Sequence, residues 1–179
     1  SGYTLSLTNT NPAKTDYFPK FSWPRIPNPK ITFPLDAHID SVAAAEEQAL
    51  CRIREVIAEK GDDIAALIIE PIQGEGGDNH FRPEFMRALR AITEDNDILF
   101  ILDEVQTGAG MTGTFWAYEH TGMTPDIIAF GKKLQVCGIM ASNRINEVES
   151  VFKVSSRINS TWGGNLVDMV RATYILRVI

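Results

Sequence analysis

The chain has 179 residues, 44 % of them hydrophobic and 22 % charged, with a formal net charge of -6 at pH 7. This is the composition of a globular domain or a piece of one, and no basic stripe is present to track a nucleic-acid backbone. The apolar runs are far too short to cross a bilayer, and Ser1-Gly2-Tyr3 lacks the basic start and apolar core of a secretory leader.

The chain opens in a β-prone run, residues 3–8 (YTLSLT). Residues 9–35 then hold six of the nine prolines, Pro12, Pro19, Pro24, Pro27, Pro29 and Pro34, interleaved with Phe18, Phe21, Trp23 and Phe33. Proline at that density forbids a central strand or a long helix, so a packed, irregular excursion is expected. From about residue 40 to 60, Val42, Ala45, Ala49, Ile53 and Ile57 step at the spacing of an amphipathic helix, which Gly61 closes.

A unit then repeats. Residues 65–69 (AALII) read as a buried strand, followed by a glycine-bearing loop at 74–77 and a helix that starts at Pro83, with Phe85, Leu89 and Ile92 on one face. Residues 98–102 (ILFIL) form a second strand, a short helix is expected around 115–120, and residues 126–130 (DIIAF) form a third strand. The terminal stretch 165–179 is apolar at roughly helical spacing and stops without a cap, so the chain reads as a fragment of a longer one. Cys51 and Cys137 have no CxxC partner or histidine cluster, so two reduced thiols in a cytoplasmic protein are expected.

Apolar strands alternating with helices predict a mostly parallel sheet in a three-layer α/β fold. Ligands of such sheets sit outside the carboxyl ends of the strands, where Glu70, Glu75, Asp103, Glu104, Gln106, Lys132 and Lys133 fall. A single acidic pair at a strand end is usually a cap or a solvated loop. Three consecutive strands that place charges on one rim raise the functional reading. An apolar run ending in Asp-Glu also resembles the magnesium strand of P-loop nucleotide hydrolases. GxxxxGK[ST] is missing here, since Gly131-Lys132 has neither the glycine five positions earlier nor a following Ser or Thr, so that reading stands only with the loop outside these residues. Asp103 and Lys132 lie 29 positions apart (132 − 103), the length of one strand-helix-strand unit. A carboxylate and a lysine on one crevice floor suit pyridoxal 5'-phosphate: the amine forms a Schiff base with the aldehyde and the carboxylate pairs with the ring nitrogen.

Residues 69–77 (IEPIQGEGG), 103–108 (DEVQTG), 125–132 (PDIIAFGK) and 161–165 (TWGGN) resemble, in order, the signature of the class-III aminotransferases of fold type I. The resemblance implies that residues 1–179 are the central part of the pyridoxal-phosphate-binding large domain, with the phosphate-binding glycine/serine turn before residue 1 and a small domain after residue 179. It further implies that Lys132 is the Schiff-base lysine, with Lys133 the competitor from sequence alone. Asp103 is then the ring-nitrogen partner, Val105 the cover of one ring face, and Gln106 the contact to the ring oxygen. Thr161 binds the phosphate of the neighbouring subunit's cofactor, so a homodimer with shared active sites is implied. Glu75 is the gate that distinguishes an amine donor from a dicarboxylate, Asn159 touches substrate, and Glu70 and Glu104 have structural roles. Where relatives acting on ornithine or 4-aminobutyrate carry a glycine-rich stretch after the lysine, this chain has Lys133-Leu134-Gln135-Val136-Cys137. That departure, with SGYTLSLTNT, PKFSWPRI and GEGGDNHFRPEFM, resembles the members that transfer the terminal amine of L-lysine to 2-oxoglutarate. Set against these enzyme readings is a non-catalytic, folded or oligomerising fragment, and the fragment alone is expected to hold the cofactor weakly.

Overall fold

The computed structural model describes residues 2–8, 11–158 and 161–179. In chain order the elements are α1 (Gly2–Leu7), α2 (Leu35–Lys60), β1 (Ala66–Ile69), β2 (Ile72–Gln73), β3 (Asn79–His80), α3 (Pro83–Asp95), β4 (Leu99–Asp103), β5 (Ile127–Phe130), β6 (Gly138–Ala141) and α4 (Leu166–Leu176), with short 3-10 turns between them. The chain forms two compact units, Ser1–Asp63 with Ile72–Phe81, and Ile64–Pro71 with Arg82–Ile179.

In the first unit the β-prone opening is a helix, against expectation. Its last carbonyls are capped by a residue far along the chain: the Arg25 guanidinium donates to the oxygens of Ser6 (2.7 Å), Leu7 (3.3 Å) and Thr8 (2.8 Å). Ser6 is buried and its hydroxyl accepts the Phe21 amide at 2.7 Å. Tyr3, Phe21 and Trp23 cluster beside it, the last two stacked at 5.2 Å. These tertiary contacts override the local strand preference. The proline-rich segment is irregular, as expected, but it is not packed: Phe18, Phe21, Trp23 and Phe33 are all exposed, and what order it has comes from ring contacts such as the stack of Phe21 on Trp23.

The helix predicted from residue 40 begins a turn earlier, directly after Pro34, with Asp36 in its first turn and Lys60 in its last, both signs favourable to the helix dipole. Val42, Ala49, Ile53 and Val56 are buried along one face. Gly61 ends the helix with φ 55°, its N–H returning to the Ile57 carbonyl. β2 and β3 pair antiparallel, Ile72 opposite His80 and Gln73 opposite Asn79. The glycine loop is thus the tip of a small hairpin, closed by the amides of Gly77 and Asp78 on the Gly74 carbonyl, both 3.1 Å.

The second unit is built on a four-stranded sheet of order β1-β4-β5-β6. β1, β4 and β5 run parallel, as the alternating pattern predicts, and β6 closes one edge antiparallel to β5. α3 starts at Pro83, buries Phe85, Met86 and Leu89, and packs on β4, whose Phe100 and Leu102 are fully buried. Among the described residues, no helix is long and apolar enough to cross a membrane.

Candidate active site

The carboxyl ends of β4 and β5 lie side by side because the two strands pair with Asp103 opposite Ala129. Asp103 is the last residue of its strand, and Lys132 follows three positions after Ala129, so the register alone delivers both to one rim. Asp103 is half-buried, and its Oδ1 accepts the Val105 amide at 3.0 Å, which closes the turn after the strand. Glu104 takes the opposite role. Only 1 % exposed, its carboxylate accepts the Thr107 hydroxyl and the amides of Ala117 (3.0 Å) and Tyr118 (2.9 Å). It fixes the turn from within and leaves Asp103 to face the rim.

Gly131 carries the chain from β5 into Lys132. Its φ of 179° is ordinary extended backbone, but a Cβ there would lie 2.9 Å from the Cys137 sulfur and 3.5 Å from a Val105 methyl. The missing side chain lets Val105 and the Cys137 segment close around the base of the lysine. Lys132 itself adopts φ 42°, a left-handed conformation that costs energy in a residue other than glycine and persists only where its surroundings hold it. Gln135 holds it there, donating to the Lys132 carbonyl from both its main-chain N–H (2.9 Å) and its side-chain Nε2 (3.1 Å). Gln135 Oε1 in turn accepts Arg171 of α4 at 3.3 Å.

The lysine amine is exposed and donates to Oε1 of Gln106. Lys133 is half-buried, and its ammonium donates to the main-chain carbonyl of Gln106. Burial pushes the Lys133 pKa down, helped by the neighbouring Lys132 charge. Of the residues singled out in the sequence, the structure therefore brings Asp103, Val105, Gln106, Lys132 and Lys133 together. Thr161 is exposed in the loop before α4. Asn159 lies outside the described residues. Glu75 stands exposed at the tip of the β2–β3 hairpin in the first unit, paired with Lys14. Glu70 is half-buried just after β1. The bond from Lys133 to Gln106 and the link from Gln135 to α4 have no motif in the sequence. The one signal that pointed to them was the replacement of a glycine-rich stretch by long side chains.

A concavity of about 430 Å³ lies elsewhere, lined by Arg90, Asp126, Ser142 and Arg144. Its floor is an ion-pair network around the buried Asp126, which accepts the Phe100 amide at 2.9 Å and Arg90 at 2.7 Å. That network ties α3 to the sheet, and the chemistry-bearing groups stand on the opposite rim.

The rim holds a carboxylate, a primary amine and an amide within one turn of two adjacent strands. That donor set fits a cofactor with an electrophilic carbon and a basic ring nitrogen. Comparison with known proteins gives the family. The model of "Aminotransferase class-III" matches residues 1–179. The L-lysine-epsilon aminotransferase of Amycolatopsis lactamdurans is 57 % identical over 180 residues, covering 100 % of this chain and 40 % of that protein. The 4-aminobutyrate aminotransferase of Emericella nidulans is 44 % identical over 142 residues, 78 % of this chain and 28 % of that protein. Among solved structures, the lysine aminotransferase from M. tuberculosis in the internal aldimine form superposes with a TM-score of 0.93 at 58 % identity, over 100 % of this chain and 41 % of that one. The chain thus spans about 40 % of the length of the curated lysine-acting relatives it matches. Matched along its whole length by the family model and sharing this fold with a solved lysine aminotransferase, the chain belongs to the class-III aminotransferases.

Proposed function

We propose that the protein carrying this chain is a pyridoxal 5'-phosphate-dependent transaminase that moves the terminal amine of L-lysine to 2-oxoglutarate. The observation that supports it best is the pair Asp103 and Lys132, delivered to adjacent strand ends by the register of β4 and β5. When bound, pyridoxal phosphate supplies an electron sink for the substrate carbon that loses its proton. Lys132 holds the cofactor through Nζ and moves that proton. Asp103 keeps the ring nitrogen protonated through its carboxylate, Val105 covers one ring face, and Gln106 orients the ring oxygen. Thr161 binds the phosphate at the partner subunit's site, which makes the homodimer the active form. Glu75 gates between amine and dicarboxylate substrates; its exposed carboxylate, paired with Lys14, supports that reading. Asn159 contacts substrate. The free thiols Cys51 and Cys137 suit a cytoplasmic setting.

Lysine is favoured over 4-aminobutyrate because identity is higher to the lysine-acting relatives, 57–58 % against 35–44 %. The test is a panel of L-lysine, L-ornithine and 4-aminobutyrate with 2-oxoglutarate as acceptor, with a Lys132→Ala control. Lysine should give the highest kcat/KM, and the variant should lose at least about a thousandfold in kcat, within the range of positioned proton-transfer groups. A higher kcat/KM for ornithine or 4-aminobutyrate would overturn the substrate assignment.

A further inference from the structure

Gln106 receives both lysines that follow β5, one on each of its oxygens: Lys132 on the side-chain Oε1 and Lys133 on the main-chain carbonyl. We propose that Lys133 is a positioning residue, whose ammonium clamps the Gln106 carbonyl and thereby fixes the Gln106 side chain on the Lys132 amine. The inference rests on the transaminase reading for its purpose, and on the geometry of one turn for its mechanism.

The turn leaves Lys133 little choice of direction. Lys132 and Gln135 both have left-handed backbones, at φ 42° and 58°, and Leu134 between them is buried. Gln135 ties the Lys132 carbonyl from two donors. With the backbone held, the Lys133 side chain crosses to the end of the neighbouring strand instead of entering water. An ammonium on a carbonyl is a charge-assisted bond, stronger than its neutral counterpart. It fixes the plane of the peptide that follows Gln106, and so the direction in which that residue's side chain leaves the main chain. A lysine side chain loses considerable rotamer freedom when held this way, and its ammonium loses hydration. The depressed pKa of Lys133, caused by burial and then by the Lys132 charge, reports that cost. A lysine serving solubility alone would stay in water.

The test uses Lys133→Met, which keeps the stem and removes the donor, and Lys133→Arg, which keeps a cationic donor. In cofactor-free protein, the rate of reductive methylation at Lys132 is followed by mass spectrometry, because an amine bonded to Gln106 must leave that bond to attack the aldehyde. Pyridoxal phosphate affinity is measured separately by absorbance titration. Lys133→Met should methylate Lys132 severalfold faster and bind the cofactor roughly tenfold more weakly, the loss expected for one bond to a charged group. Lys133→Arg should stay near wild type in both. Equal rates and affinity in wild type and Lys133→Met would overturn the proposal, as would an arginine variant as impaired as the methionine one. A fall in thermal midpoint with both readouts unchanged would assign Lys133 a merely structural role and also overturn it. Aldimine absorbance that persists in Lys132→Ala would instead refute the assignment of the Schiff base to Lys132 in the transaminase reading and leave the methylation comparison intact.

Discussion

Glu104 and Asp103 are adjacent acids with opposite fates, and the difference comes from the alternation of a strand. Successive side chains point to opposite sides, so one of the pair must turn inward where β4 ends. A carboxylate buried there needs donors, and Glu104 has the Thr107 hydroxyl and the amides of Ala117 and Tyr118. Replacing it by glutamine would set an NH2 group against at least one of those N–H donors. We expect Glu104→Gln to cost about 2–4 kcal/mol, since buried donors lose a charged acceptor. Urea unfolding reads this directly, and an unchanged midpoint with an unchanged slope would refute it. The pair Asp103-Glu104 was legible in the sequence as a rim feature. The inward Glu104 and the outward Asp103 were separable only through the family resemblance, because either acid could have been the cap.

Among the elements, the sheet is held to α3 through Asp126. Burial alone would raise its pKa, but the Phe100 amide, Arg90 and Arg144 outweigh that and hold the carboxyl below its usual range. A carboxylate with a depressed folded pKa adds stability that is fully present above the unfolded value. That stability is lost as pH falls through the folded one. The stability difference between wild type and Asp126→Asn should therefore be constant near neutrality and shrink below about pH 4. Chemical denaturation at a series of pH values would test it, and a difference that persists down to the lowest pH would count against the ion-pair account. The same scale shows what sequence could and could not reveal. β1, β4 and β5 were legible as continuous apolar runs bounded by charges, and α3 by its proline and its apolar stripe. α1 was not, because the group that caps it, Arg25, sits 19 positions beyond Ser6 (25 − 6). β6 was missed as well. Its four residues are all exposed, so no burial pattern marks them, and its pairing with β5 sets their conformation.

At the scale of the whole chain, the second unit is discontinuous: β1 comes from Ile64–Pro71 and the rest from Arg82–Ile179. A protein made only of residues 82–179 would leave one edge of β4 without its partner, and unpaired edges recruit other chains. Such a truncation should aggregate at concentrations where residues 64–179 stay dispersed, as light scattering would show. Equal behaviour of the two would mean that β1 is dispensable. The interruption also sets an order of events during synthesis. Ala66 pairs with Leu99, 33 positions later (99 − 66), so β1 emerges from the ribosome before the strand it joins. At typical elongation rates of about 5–20 residues per second, its apolar residues wait a few seconds for that partner. In that interval Leu67 and Ile69 depend on whatever holds a nascent chain apart from its neighbours, and slower translation across α3 lengthens the exposure.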